Sequence, residues 1–303
     1  STQAKTLFPY TTLFRSPKPM NTTAEAILQW HEAKQDSYRP HLGASEIGKP
    51  CQRALFYSFR WATAKQFDGR MLRLFNRGHR EEPQFLEELR GIGAEVYDRD
   101  PDTKQQHRFS AVNGHFGGSC DAIGRGLPEA PKTWAIIEFK THGDKSFTNL
   151  VAKKVKEAKP EHYAQMQVYM GLAELTRALY LAVNKNTDEI YTEWLHLDKE
   201  VAEKAISRGK RLALQDRIPE PLSADPTWYQ CRFCPAHSFC HKAEPTKYAN
   251  CRTCAHSSAL ADSTWRCERH QADGIPVEFQ HEGCDDHILH PDLVPWRMIS
   301  ATE

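Results

Sequence analysis

The stretch Trp134-Ala-Ile-Ile-Glu-Phe-Lys-Thr141 constrains this chain more than any other. Four hydrophobic residues run into Glu138, and Lys140 follows two positions later. In a strand with a side-chain period of two, both charged groups point to the same face. Their neighbours Ile136, Ile137 and Phe139 mark the strand as buried, so an acid and a base are kept together where charges are seldom held without a task. Upstream, Phe116-Gly-Gly-Ser-Cys-Asp-Ala-Ile-Gly124 supplies a second acid, Asp121, in another short apolar run.

At 303 residues the chain can bury a full core as one large domain or two smaller ones. A formal net charge of +1 gives no global attraction to nucleic acid or membrane, so any basic surface must be local. No apolar run reaches the length of about eighteen residues that spans a bilayer, and no charged start leads into an apolar stretch. A soluble, cytoplasmic protein without a membrane partner is expected. In that setting the short Cys-x-x-Cys spacings among the nine cysteines favour metal over disulfides.

Residues 6–16 read like the translation of a sequencing adaptor. Residues 1–19 are therefore expected to be a non-native or disordered leader, with Met20 the candidate start. A short helix is predicted over Thr23–Lys34, and 37–48 reads as loop. Asp68–Leu89 has the apolar stripe of a long helix, which Pro83 is expected to interrupt; Arg77-Gly-His-Arg-Glu-Glu-Pro83 is a solvated face or a polar site. Strands are predicted at 94–98, 106–112, 119–126 and 134–141. A basic helix at 147–156, with Lys153, Lys154 and Lys156, offers a solvated face or a phosphate contact. Pro160 opens a strong helix to Leu175, on which Gln165 and Tyr169 share a face. A hairpin over 178–184 and 189–197 and a helix at Lys199–Leu214 complete the domain, and Pro219–Pro226 leads into the cysteine region.

Asp121 and Glu138 are hard oxygen ligands of the kind that bind Mg²⁺ or Mn²⁺ from separate elements. A lysine such as Lys140 beside them can orient a metal-bound water or stabilise charge on a phosphate. Taken alone, Asp then Glu-x-Lys is a common pattern. Cys51 stands apart and by itself reads as a buried small hydrophobe, whereas Cys231-x-x-Cys234-x5-Cys240 reads as a metal triplet, zinc first. Cys251-x-x-Cys254 with Cys267 and Cys284 suggests a tetrahedral zinc site, in which His270 or His287 could replace one of the later cysteines. Cys120, next to Asp121 in sequence, should face the core.

With these residues in their order, the chain resembles the PD-(D/E)XK nuclease superfamily over roughly residues 40–242. Asp121 and Glu138-Phe-Lys140 stand for its core motif, and Gln165-x-x-x-Tyr169 is similar to the extra motif of its RecB-type exonucleases. Gly78-His79 with Glu81 and Glu82 resembles the motif before the core; Glu82 is favoured as the further ligand, with His79 the alternative. The resemblance implies an α/β fold with a central mixed sheet flanked by helices. It also implies metal held by Asp121, Glu138 and the Phe139 carbonyl, with Lys140 handling the nucleophile and Gln165 and Tyr169 positioning DNA. AddB-like and CRISPR-associated exonucleases carry one cysteine before the core and three after it around a [4Fe–4S] cluster, here Cys51, Cys231, Cys234 and Cys240. The expected organisation is a nuclease domain at 20–242 and a Cys/His-rich zinc module at 243–303. The expected activity is exonucleolytic cleavage of DNA with single strands or free ends, in recombination, repair or replication, with a recombination or replication protein as the partner to look for. An endonuclease of the same fold and a non-catalytic DNA- or protein-binding metalloprotein are the rivals.

Overall fold

The computed structural model describes residues 22–35, 38–64, 66–242 and 244–294; the predicted leader and Met20 lie outside them. Helix α1 (Thr22–Ala33) comes first, followed by a two-residue strand β1 (Leu42–Gly43) in what the sequence presents as loop. Two residues are too few to show a period. Cys51 then caps helix α2 (Gln52–Phe59), its sulfur accepting from the Ala54 N–H at 3.4 Å. Helix α3 (Gly69–Gly91) starts at Asp68, whose carboxylate accepts from the Met71 N–H at 2.7 Å. The expected break at Pro83 does not occur. The burial of Phe85, Leu86 and Leu89 just beyond it outweighs the one lost hydrogen bond.

Strands β2 (Glu95–Tyr97) and β3 (Arg108–Ala111) follow. The single strand predicted at 119–126 is in fact divided into β4 (Phe116–Ser119) and β5 (Ala122–Arg125), which belong to different sheets. Gly117 explains the close pairing on the first side: its φ is +153°, and a Cβ there would lie 2.1 Å from the Phe109 carbonyl oxygen. Cys120 and Asp121 form the step between the sheets.

The core strand β6 (Ala135–His142) leads into α4 (Asp144–Ala158), kinked at Lys154, and α5 (Pro160–Ala173). Strands β7 (Arg177–Asn184) and β8 (Ile190–His196) form the expected hairpin, and α6 (Lys199–Leu214) closes this part of the chain. The main sheet is mixed, in the order β2-β5-β6-β7-β8, with β6 and β7 parallel and the other pairs antiparallel. A parallel pair needs a long crossover, and α4 and α5 supply it. The smaller sheet has the order β1-β4-β3.

Both faces of β6 are covered, as its nearly continuous apolar run requires. Ile136 packs with Met166 and Val168 of α5 on one side; Ile137 and Phe139 pack with Phe85 and Leu89 of α3 on the other. Full burial of each isoleucine contributes roughly 2 kcal/mol. Cys120 is buried in the first of these clusters, as expected.

Short helices α7 (Tyr229–Arg232) and α8 (His237–His241) are followed by the hairpin β9 (Ser257–Ala259) and β10 (Trp265–Cys267), then α9 (Val277–Glu282). This last part is tied deeply to the rest. Trp265 belongs to the main core, and Arg252, 1% exposed, donates to the Phe59 carbonyl at 3.0 Å, the Pro40 carbonyl at 3.0 Å and Gln280 Oε1 at 2.8 Å. Its guanidinium lies 3.7 Å over the Trp61 ring, which also stacks on His281. Among the described residues no helix is long and apolar enough to cross a membrane.

Arg252→Met should therefore leave the buried Phe59 carbonyl and the Pro40 carbonyl without this donor. A loss of about 3 kcal/mol in unfolding free energy is expected by urea denaturation, and a change under ~0.5 kcal/mol would show that Arg252 does not anchor the C-terminal part.

Candidate active site

The alternation of β6 places Glu138 and Lys140 side by side, as the sequence predicts. Lys140 Nζ donates to Glu138 Oε1 at 2.5 Å and to the Phe139 carbonyl at 3.1 Å. Asp121 reaches the same strand from the step between the sheets: its Oδ2 accepts from the Phe139 N–H at 2.7 Å and lies 3.9 Å from Lys140 Nζ. One backbone unit of β6 thus separates two acids and faces both. Lys140 keeps 22% of its side chain exposed while Glu138 keeps 2%, so the lysine is the member of the pair open to a substrate.

Helix α5 delivers the next two residues. Gln165 Nε2 donates to Glu138 Oε1 at 2.9 Å and approaches the Tyr169 hydroxyl at 3.2 Å; that hydroxyl donates to the Ser119 carbonyl at 2.9 Å. Tyr169 therefore braces the end of β4, two residues before Asp121. Gly118 makes room for it, since a Cβ at that position would sit 2.6 Å from the tyrosine oxygen.

Burial pushes the Glu138 carboxyl up to about 7, the Asp121 charge adds to the rise, and Lys140 and Gln165 oppose it. Burial lowers Lys140, but the charges of Glu138 and Asp121 outweigh that effect and hold it above the usual lysine range. Burial, then the nearby Glu138 charge, raises Tyr169, so its hydroxyl remains a donor. Glu138 Oε2 is the feature left over: it is buried and has no hydrogen-bond partner among the described residues.

His79 and Glu82 of α3 are bonded to one another, Nδ1 to Oε1 at 2.9 Å, and line a cavity of about 590 Å³ with Lys140. The two alternatives of the sequence reading thus form one pair. Glu82 is the one whose charge acts on Lys140; the His79 side chain is 72% exposed.

Three further groups in this neighbourhood escaped the sequence reading. His142 Nε2 and His162 Nδ1 both lie 2.9 Å from the Tyr180 hydroxyl, and Tyr180 stands opposite Glu138 in the β6–β7 register. Burial first, then nearby lysines, pushes His142 down to about 4; burial and Lys140 push His162 down to about 3. Both rings are neutral near pH 7, so one accepts from the tyrosine and the other donates to it. The signal was present: His142 is an even number of residues after Glu138 on one strand face, and His162 is three before Gln165 on one helix face.

Cys51, Cys231, Cys234 and Cys240 all line one cavity of about 310 Å³. Burial, then the Cys51 and Cys240 charges, raises Cys231, and Arg53 Nη1 lies 3.9 Å from Cys240 Sγ. In the C-terminal part, burial and then Cys284, Cys254 and Cys267 push Cys251 up to about 11. Of the two alternative histidines, His270 Nε2 lies 3.7 Å from Cys284 Sγ, whereas His287 is bonded to Thr253. No group of three or more His, Cys, Asp or Glu among the described residues forms a ready-made metal cage.

No curated protein sequence matches the chain significantly. Among solved structures, that of SSO0001 is 14% identical and covers 72% of this chain and 96% of its own, with a TM-score of 0.41. An alkaline exonuclease from Laribacter hongkongensis is 15% identical, covers 62% and 90%, and has a TM-score of 0.40. A phage-related exonuclease from Haemophilus somnus 129PT is 21% identical over 46% of this chain and 68% of its own, with a TM-score of 0.31. The family model of the PD-(D/E)XK nuclease superfamily matches residues 13–241, a span that contains Asp121, Glu138, Lys140, Gln165 and Tyr169, and the chain belongs to that superfamily.

Proposed function

We propose that the chain is a divalent-metal-dependent deoxyribonuclease that acts as an exonuclease on DNA with single strands or free ends. The observation that carries the reading is Glu138: a buried carboxylate with one oxygen unpaired, beside a second acid and an accessible lysine. Stability alone gives no reason to leave Oε2 without a partner.

The donor set fits Mg²⁺ or Mn²⁺. Asp121, Glu138 and the Phe139 carbonyl are hard oxygens on converging elements, and Glu82 and His79 line the cavity that Phe139 and Lys140 also border. Such an ion, when bound, supplies a Lewis acid and lowers the pKa of water. The chain's own residues do the rest. Lys140, freed from Glu138 Oε1 and the Phe139 carbonyl, turns to the nucleophile and the phosphate; Gln165 holds Glu138, and Tyr169 holds the Asp121 step. The QxxxY spacing favours the RecB-type exonuclease reading, with a recombination or replication protein as the partner to look for.

The two cysteine sets have separate roles in this proposal. Cys51, Cys231, Cys234 and Cys240 are four thiols around one cavity, and they would hold a [4Fe–4S] cluster that fastens the start of α2 to the α7–α8 region. Cys251, Cys254, Cys267 and Cys284 would hold zinc. Raised thiol pKa values mean that metal loading must release protons.

With Mn²⁺, the protein should cleave end-labelled linear single strands and spare circular ones. Lys140→Ala and Glu138→Ala should each lower the rate by about 100-fold or more; equal cleavage by Lys140→Ala would sink the catalytic reading, and cleavage of circles would turn it to an endonuclease.

A pH dependence follows for the metal-free protein. Glu138 holds its proton up to about 7 when folded and releases it near 4.5 when unfolded, so the folded state binds more protons between those values. Its contribution to stability is greatest below about 4.5 and is lost as pH rises through about 7. Melting in EDTA should show this decline, Mn²⁺ should offset it at pH 8, and Glu138→Gln should remove both effects.

Elemental analysis of anaerobically purified protein should give iron to zinc near about four to one. Cys51→Ser should lower iron alone and Cys251→Ser zinc alone. A colourless, iron-free wild type would remove the cluster from the proposal.

A further inference from the structure

Helix α3 carries an aromatic edge that the proposed reaction does not use. Phe75 and the preceding Phe67 pack edge to face, with centroids 4.9 Å apart and planes at 90°, yet they remain 41% and 37% exposed. Phe75 and His79, one helical turn apart, border two cavities at once. The inner one, about 590 Å³, holds Lys140, Lys159 and Lys185. The outer one, about 420 Å³, is walled by Arg39, His41, Ser45, Lys49 and Phe67. Phe75 is therefore part of the saddle between two chambers, each with cationic groups in its wall and each large enough for a small ligand.

Acids are present too. Glu46 in the outer wall is paired with Lys49 at 2.7 Å, Glu161 lines the same chamber, and Glu82 in the inner one is bonded to His79. Arg39 and Lys49 of the outer wall are thus matched by Glu46 and Glu161, whereas Lys140, Lys159 and Lys185 outnumber Glu82 in the inner one, so a ligand that follows the saddle must present a flat apolar face to Phe75 and negative charge to the inner chamber. Single-stranded nucleic acid has that alternation, because its phosphates lie outside and its bases are free to leave their own stack. In a duplex, the base faces are already occupied by one another.

We propose that Phe75, braced by Phe67, is a base-stacking platform that receives a nucleobase of single-stranded DNA as the strand passes from the outer chamber to the catalytic one. The inference rests on the reading of the chain as a DNA nuclease and narrows its substrate. Phenylalanine offers a ring face and no hydrogen bond, so the platform selects unpaired bases without selecting sequence.

The test is binding in Ca²⁺, in place of Mn²⁺, of a fluorescein-labelled oligothymidylate and of an abasic oligomer of equal length, followed by anisotropy. The wild type should prefer the oligomer that carries bases. Phe75→Ala should bind it about tenfold more weakly and lose the preference, Phe75→Leu should do the same with the apolar surface kept, and Phe75→Tyr should restore it. Equal binding of the two oligomers by wild type, or unchanged affinity in Phe75→Ala and Phe75→Leu, would overturn the platform. So would equal weakening of single strands and blunt duplexes. A concentration-dependent dimer that Phe75→Ala abolishes, with oligomer binding unchanged, would assign the edge to a second copy of the chain instead. Hydrolysis by wild type in Mn²⁺ is read separately, so the platform can fail while the catalytic reading stands.

Discussion

A carboxylate removed from water in the middle of a sheet must find charge and hydrogen bonds within reach, and the arrangement around Glu138 follows from that demand. Lys140 and Gln165 both meet Oε1, so strand β6 and helix α5 are held in one register by a single oxygen. Asp121 cannot reach Glu138 directly without raising the repulsion further; it bonds instead to the backbone N–H between the two charged residues of β6. Tyr169 then fixes the step on which Asp121 sits, and Gly118 admits Tyr169. At this site Oε2 is left without a partner among the described residues. A buried oxygen left unpaired costs stability.

Much of this was legible in the sequence because it depends on local periods. Period two on β6 pairs Glu138 with Lys140, and the i, i+4 spacing on α5 pairs Gln165 with Tyr169. What was not legible depends on contacts made at a distance. Pro83 carries a strong local signal to stop a helix, but residues far along the chain bury the turn beyond it. The apolar run that contains Asp121 reads as one strand; the change of sheet is set by the approach of β3 to Gly117, which no pattern within that run records. His142 and His162 were missed for a different reason: each looks like a solitary polar residue until Tyr180 on a third element joins them.

The two cysteine sets illustrate the same contrast. Cys231 and Cys234 are neighbours by spacing, whereas Cys51 joins them only through the fold, at the first residue before α2. Arg208 on α6 helps to hold that approach by donating to the carbonyls of Ile47, Lys49 and Pro50. A lone cysteine thus acquires its company from an arginine well over a hundred residues later in the chain.

Arg252, set between Cys251 and Cys254, has a consequence for the order in which the molecule is completed. It reaches the Pro40 carbonyl 212 residues back along the chain and the Phe59 carbonyl 193 residues back. Phe59 and Trp61 form part of the wall of the outer chamber. During synthesis every strand of the main sheet has emerged once β8 is out, while the contacts that hold that wall need the last fifth or so of the chain. A nascent molecule therefore has Asp121, Glu138 and Lys140 outside the ribosome well before the residue that anchors the Phe59 and Trp61 wall.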